Sequence, residues 1–288
     1  MNAYRSPVEM PRVERAVAIG TFDGVHRGHR RVLDEAKATG LRTTVVTFWP
    51  HPRTVLGNRV ELLTTLERRL ELVEEAGIED VLVVTFDAET ARLEPAAFAD
   101  AFLDAIGTRV IAVGERFRFG RGASGDVATL STLGFDVRAV PTVEGVSSTT
   151  IRGLLRAGDV GGAAQLLGRP PEIEGVVVLG DQRGGTLGYP TANLDVPPDL
   201  LVPAYGIYAG AALNHRAAVS IGVNPHYGGD ERRVEPYLLD YEGDLYGRRL
   251  VVELWQRLRH EQAFASEAAL VEQIALDVEA TRAAVRPV

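Results

Sequence analysis

Along the first half of the chain, short apolar or β-branched runs alternate with longer stretches whose apolar residues recur every three or four positions. Residues 16–20, 43–48, 81–86, 110–114 and 137–140 predict strands, and 30–39, 66–76 and 96–106 predict helices. Thr64 followed by Glu67 fits a capping box, and Pro95 fits the first turn of a helix, where a missing N–H is harmless. Strands alternating with helices predict a doubly wound, Rossmann-like parallel sheet covered on both faces. Two short helices, 147–157 and 160–167, are expected to close that domain. Gly168-Arg-Pro-Pro171 then reads as a boundary, because paired prolines cannot continue a helix.

The pattern changes beyond that point. Residues 174–179, 207–213, 217–221, 234–240 and 249–254 read as strands, with Gly, Pro, Asn and Asp clusters between them and few helices. Such spacing predicts a small antiparallel β-barrel or sandwich. A final amphipathic helix is expected over 266–284, with Leu270, Ile274 and Val278 on one face. The expected organisation is an α/β domain over 13–168 and a β-rich domain over 169–288.

Composition narrows the chemistry. The 288 residues suffice for two domains, and 45% apolar with 24% charged residues is the mix of a soluble globular protein. A net charge of -8 gives no electrostatic footprint for nucleic acid. Lys37 is the only lysine, which excludes a lysine nucleophile or a phosphate-loop lysine elsewhere, and cysteine chemistry is excluded because no cysteine occurs. Residues 1–14 carry no apolar stretch resembling a signal peptide, and no apolar run is long enough to cross a bilayer, so a cytoplasmic protein without a membrane partner is expected.

The segment Gly20-Thr-Phe-Asp-Gly-Val-His-Arg-Gly-His29 follows a strand and leads into a helix. Gly20, Gly24 and Gly28 allow close backbone approach, and a helix start presents N–H groups suited to phosphate. His26 and His29 can donate to one anion, which suits charge growing on a phosphate under attack. Two nearby histidines also fit a metal or an ordinary surface, but no acidic or cysteine ligand has matching spacing. Neither a Walker loop nor a Gly-x-Ser-x-Gly elbow occurs. Downstream, Val146-Ser-Ser-Thr-Thr-Ile-Arg152 presents hydroxyls that either cap a helix or, with Arg152, meet triphosphate oxygens.

The second half carries Gly180-Asp-Gln-Arg-Gly-Gly-Thr-Leu-Gly188 followed by Tyr-Pro-Thr-Ala-Asn193. Thr191 and Asn193 lie two apart and offer oxygens suited to Mg²⁺ or phosphate, while a turn stabilised by Asn193 is the alternative reading. Glu235 sits on a strand among apolar neighbours, where a carboxylate is either paired with an arginine or serves as a general base toward an alcohol.

The two histidines and the Ser-Ser-Thr-x-Ile-Arg segment together resemble the nucleotidyltransferase superfamily with an HxGH signature. With Thr47-Phe-Trp-Pro-His-Pro-Arg53, Phe117-Arg-Phe-Gly120 and Gly158-Asp159, they resemble the N-terminal module of bacterial bifunctional riboflavin kinase/FMN adenylyltransferases, also called FAD synthetases. The segments 180–193, Ser220-Ile-Gly-Val-Asn-Pro225, Val234-Glu-Pro-Tyr-Leu-Leu-Asp240, Asp244-Leu-Tyr-Gly247 and Leu258-Arg259 resemble the riboflavin kinase module. The resemblance covers residues 15–285 and implies ATP, riboflavin, FMN and FAD as substrates and products, with Mg²⁺ as cofactor. It implies ATP or phosphate contacts from Gly20, Phe22, Asp23, Gly24, Gly28, Ser147, Ser148, Thr149, Arg152, Gly180, Gly184, Gly188 and Thr191. Arg116, Asp159, Asn224 and Arg259 are the implied flavin contacts, Thr191 and Asn193 the metal ligands, and Glu235 the base on the riboflavin 5′-hydroxyl. His26 and His29 are implied to serve the adenylyl transfer, in which the FMN phosphate attacks the α-phosphate of ATP.

Some positions depart from that pattern. Arg116 stands where the family has Asp or Asn, Gly185 where it has Arg, His226-Tyr227 where it has Thr-Phe, and Tyr237 where it has His. Two rival readings are a nucleotidyltransferase with another acceptor and a flavin-binding regulator. The expectation is that both reactions persist.

Overall fold

The computed structural model describes residues 1–180, 187–223 and 232–287. The chain divides into two compact units, Met1–Ser147 and Ser148–Val288.

In the first unit, six strands form one sheet: β1 (Asn2–Tyr4), β2 (Arg15–Ile19), β3 (Arg42–Trp49), β4 (Asp80–Thr85), β5 (Thr108–Gly114) and β6 (Asp136–Val140). Their order is β1-β4-β3-β2-β5-β6, and every pairing is parallel. The helices are α1 (Arg27–Lys37), α2 (Pro52–Val55), α3 (Leu66–Glu75), α4 (Pro95–Phe102) and α5 (Val127–Thr132). Alternate strand residues feed two cores. Ala16, Ala18, Val45, Val81 and Val83 pack with Leu33 of α1 and Leu72 of α3, while Val17, Ile19, Val46, Leu82 and Ile111 pack with Phe98 of α4 and Leu130 of α5. A sheet covered on both faces needs apolar residues at both parities, which is why its strands read as continuous runs.

Two local expectations are corrected. α3 is capped by Thr65, whose hydroxyl accepts from the Arg68 N–H at 3.1 Å, so the Thr64–Glu67 capping box does not form. Residues 1–14, where the pattern predicts no strand, supply β1, and Asn2 reaches Asp80 of β4 with its side-chain amide at 3.0 Å.

Asp80 is the polar anchor of this sheet. Its carboxylate, fully buried, accepts from Arg15 at 2.5 Å and from Arg42 at 2.6 and 2.9 Å. Burial alone pushes such a carboxyl up, but the hydrogen bonds from Arg42, Asn2 and Arg15 together outweigh it and hold Asp80 well below the usual carboxylate range. Its folded value is depressed, so its contribution is complete above the unfolded carboxyl pKa of about 3.9. The contribution is lost as pH falls from there toward the folded value. Asp80→Ala, which strands the buried Arg15, is expected to destabilise the first unit by about 3–5 kcal/mol, read as a lowered urea midpoint at neutral pH.

The second unit opens with α6 (Ser148–Ala157) and α7 (Val160–Leu167), followed by β7 (Glu172–Val178), β8 (Asn193–Asp195), β9 (Gly206–Ala212), β10 (His215–Val223), β11 (Arg232–Leu238), β12 (Arg249–Arg259) and α8 (Glu267–Ala283). The sheet runs β11-β10-β9-β12-β7-β8 with antiparallel pairings throughout. The Ala192 N–H donates to the Pro236 carbonyl at 2.9 Å, joining the two ends of that order into a closed barrel. The expected barrel with a C-terminal helix is therefore what forms.

α6 and α7 pack with the barrel. The Ala204 N–H donates to the Leu155 carbonyl at 3.1 Å, and a Cβ at Gly158 would lie 2.7 Å from the Arg257 guanidinium. The compact units thus part at 147/148, ahead of the expected boundary at 168/169. The proline pair follows the end of α7. Ser266 caps α8 by accepting from the Ala269 N–H at 3.2 Å, and Arg216 ties down its far end through the Thr281 and Ala284 carbonyls at 2.9 and 2.6 Å.

Candidate active sites

In the parallel sheet β2 lies between β3 and β5, so the chain leaves it in opposite directions and a crevice opens beyond its C-terminal end. A cleft of about 610 Å³ occupies this place, lined by Gly20, Phe22, His26, Gly28 and His29 from the turn after β2 and by Arg116, Phe117 and Phe119 from the segment after β5. His26 is the N-cap of α1, its Nδ1 accepting from the His29 N–H at 3.2 Å. That bond occupies the Nδ1 lone pair, so a neutral His26 carries its proton on Nε2. The two imidazoles stack with centroids 3.6 Å apart and planes at 13°, and the Phe22 ring lies 5.2 Å from His29. Gly28 makes room for this arrangement, because a Cβ there would sit 3.1 Å from the His26 ring. Two histidine donors and the positive end of an eleven-residue helix therefore share one cleft wall, a setting for anionic phosphate.

The structure separates the predicted residues of this motif into two groups. Gly20, Phe22, Gly28, both histidines and Arg116 meet on the cleft. Asp23 and Gly24 do not line it. Asp23 is fully buried and its carboxylate accepts from the Leu63 and Thr64 N–H groups at 2.9 and 3.2 Å, while the Gly24 N–H donates to the Thr64 hydroxyl at 3.2 Å. Ser147 ends the first unit, and Ser148, Thr149 and Arg152 lie on α6 in the second, with Thr149 exposed and Arg152 buried.

The second unit holds a cavity of about 310 Å³ lined by Tyr189, Thr191, Ser220, Glu235, Tyr237 and Arg259 from the barrel side, with Glu261, Phe264 and, from α8, Asp277. Along β11, Val234, Pro236 and Leu238 are buried while Glu235 and Tyr237 point to the cavity, as strand alternation requires. Glu235 stands opposite Ser220 of β10 and 3.9 Å from Arg233 on the same face. The bond that closes the barrel, from Ala192 to Pro236, sets Thr191 beside Glu235 and lets Tyr189 meet Tyr237 edge-on at 5.5 Å. Asn193 sits behind, its side chain filling the space over Gly180, where a Cβ would approach to 2.1 Å. Gly180 is thus required for that close approach, and Gly188 for a left-handed turn at φ 84°.

Two expected flavin contacts are already engaged within the protein. Arg259 lines the cavity, but its guanidinium is clamped by Asp277 through contacts of 3.0, 3.1 and 2.7 Å. Asp159 caps α7, accepting from the Gly162 N–H at 2.7 Å. Gly184 and Asn224, with the departures at Gly185 and His226-Tyr227, lie outside the described residues. Tyr189 and Ser220 belong to stretches the sequence singled out, whereas Glu261 and Phe264 reach the cavity from a loop whose local pattern gives no such signal. Among the described residues no cluster of three or more His, Cys, Asp or Glu side chains could hold a metal ion, and no helix is long and apolar enough to cross a membrane.

A phosphate-ready helix start in one unit and a carboxylate beside hydroxyl donors in the other define a group-transfer enzyme with two separate modules. The family model described as FAD synthetase matches residues 9–152, and that described as riboflavin kinase matches 167–285. Bifunctional riboflavin kinase/FMN adenylyltransferases are similar over almost the whole length: that of Pseudomonas fluorescens is 39% identical over 93% of this chain and 92% of its own, and that of Listeria monocytogenes 35% identical over 94% and 92%. A crystal structure described as a macrolide-efflux protein from Streptococcus pneumoniae aligns with a TM-score of 0.87 at 30% identity, covering 97% of this chain and 98% of that one. This chain belongs to the bifunctional riboflavin kinase/FMN adenylyltransferase family.

Proposed function

We propose that the second unit transfers the γ-phosphoryl group of ATP to riboflavin, giving FMN, and that the first transfers the adenylyl group of a second ATP to FMN, giving FAD and pyrophosphate. What supports this reading is that the first unit brings Gly20, His26, Gly28, His29 and Arg116 to one cleft and the second brings Thr191, Ser220 and Glu235 to another, in a chain whose family joins these two modules. The use of ATP in both steps favours a cytoplasmic location.

In the kinase step Glu235 accepts the proton of the riboflavin 5′-hydroxyl as that oxygen attacks the γ-phosphorus. The new O–P bond forms as the bond to the β,γ-bridging oxygen breaks, and ADP leaves. Thr191 and Asn193 offer neutral hard oxygens of the kind Mg²⁺ accepts and would hold the ion that accompanies the nucleotide. When bound, Mg²⁺ neutralises charge on the phosphates. The glycine-rich segment 180–188 is assigned to the phosphates.

In the adenylyl transfer the attacking FMN oxygen is already anionic, so no protein base is needed. His26 Nε2, His29 and the first N–H groups of α1 stabilise charge on the α-phosphate as pyrophosphate departs. Ser147, Ser148, Thr149 and Arg152 are assigned to the triphosphate.

Incubating the purified protein with Mg²⁺-ATP and either riboflavin or FMN, followed by chromatographic product analysis, tests both assignments. FMN from the first mixture and FAD from the second are expected. FMN without FAD leaves only a kinase, and retained flavin without either product makes the chain a binder.

Arg116 brings a guanidinium to the cleft wall, where both substrates carry phosphate. Arg116→Ala is expected to raise the KM for FMN or ATP about 10-fold, the loss of one charge-assisted hydrogen bond of roughly 1.5 kcal/mol, with kcat unchanged. Initial-rate kinetics of FAD formation check this.

A further inference from the structure

The turn that carries the two histidines is strained, and the strain has an identifiable restraint. Phe22, Gly24 and Val25 all adopt left-handed backbone, with φ of 49°, 83° and 38°. For a β-branched residue such as Val25 this conformation is costly and persists only where surrounding contacts over-determine it. The Phe22 and Val25 side chains are buried in the core. Between them Asp23 and Gly24 are bonded to one short segment before α3. Asp23 Oδ1 accepts from the Leu63 N–H, the Thr64 N–H and the Thr64 hydroxyl at 2.9, 3.2 and 3.4 Å. The same Thr64 hydroxyl accepts from the Gly24 N–H at 3.2 Å, so it stands between both residues of the turn. Behind this cluster lies Arg69, fully buried, with its guanidinium 3.8 Å from the Asp23 carboxylate and over the Trp49 ring at 5.8 Å. Leu63 fills the space that a side chain at Gly24 would need, leaving 2.7 Å to a Cβ. The residue after the strained turn is His26.

We propose that Thr64, with Asp23 and Arg69, is a positioning residue for adenylyl transfer. It latches the turn 22–25 to the segment before α3 and so fixes the His26–His29 stack against the cleft. None of the three lines the cleft, so their effect passes through the turn. A histidine donor must hold its place to a fraction of an ångström, and displacement by about 1 Å costs up to about 100-fold in rate. The inference rests on assigning FMN adenylylation to the first unit.

Thr64→Val keeps the shape of the side chain and removes the hydroxyl, while Thr64→Ser keeps the hydroxyl. Steady-state kinetics of FAD formation from FMN and of FMN formation from riboflavin are measured on the wild type and on both variants of the full chain. The expected result is a kcat for FAD formation lowered about 10- to 100-fold in Thr64→Val. KM values for FMN and ATP stay within about twofold of the wild type, riboflavin kinase activity is unchanged, and Thr64→Ser restores most of the lost kcat. Unchanged kcat in Thr64→Val overturns the proposal. So does a rise in KM at constant kcat, which would make the hydroxyl a substrate contact, and so does an equal loss of both activities, which would mark a general loss of folding. Failure of Thr64→Ser to recover rate also overturns it. Absence of FAD formation by the wild type would instead remove the assignment on which the proposal stands.

Discussion

Glu235→Gln lowers FMN formation by about 100- to 10,000-fold, the usual contribution of a general base, while FAD formation from added FMN continues at the wild-type rate. The substitution is nearly isosteric; it removes the negative charge and with it the ability to take a proton. Glu235 faces the cavity from the middle of β11, with Ser220 across the ladder and Arg233 at 3.9 Å. Its contact with Arg233 joins two partly exposed groups and is worth at most about 1 kcal/mol, so the fold survives the change. Product analysis with riboflavin and with FMN separates the two outcomes in one preparation. An unchanged rate of FMN formation would show that the proton leaves by another route and that Glu235 only shapes the cavity.

The second large effect belongs to the other unit. His29→Ala and His26→Asn are each expected to lower the kcat of FAD formation by about 100- to 1,000-fold, the cost of removing one donor aimed at a developing anion. Asparagine is chosen at 26 because it is a good N-cap and can accept the hydrogen bond that His26 Nδ1 now accepts from the His29 N–H. The helix start is therefore kept and only the donor toward the cleft is lost. Because the rings are stacked and the His29 backbone N–H donates to the His26 ring, the double substitution is expected to lose far less than the product of the single losses. Riboflavin phosphorylation in the same samples stays at the wild-type rate. If His26→Asn forms FAD normally, the role of His26 is confined to capping α1.

Much of this organisation is legible in the sequence because it depends on local pattern. The apolar runs at both parities announce the covered parallel sheet, and the return to alternation in residues 232–238 announces a strand with one face on a cavity. His26 and His29 are recognisable from spacing alone, since a helix start brings positions three apart together. Contacts between distant segments leave no such trace. Asp23 looks like a ligand within its motif, yet its partners are forty residues away at Leu63 and Thr64. Arg259 looks like an available cation until Asp277 of α8 closes on it. Asp159 follows a glycine at a helix start, and capping already explains it. The three-residue strand β1 is too short to show a period, and only the edge of β4 gives it a partner.

That strand has a bearing on how the protein tolerates crowding. β1 covers the flank of β4, whose sequence Asp80-Val-Leu-Val-Val-Thr85 combines high β-propensity with little charge. At the opposite flank β6 carries Asp136 and Arg138, which deter another strand from docking. Loss of residues 2–4 would leave the cleft-lining residues in the chain but open the β4 flank to strand addition from neighbouring molecules. Three residues remote from either cavity thus act as a guard against self-association, and a shortened amino terminus would trade solubility rather than turnover.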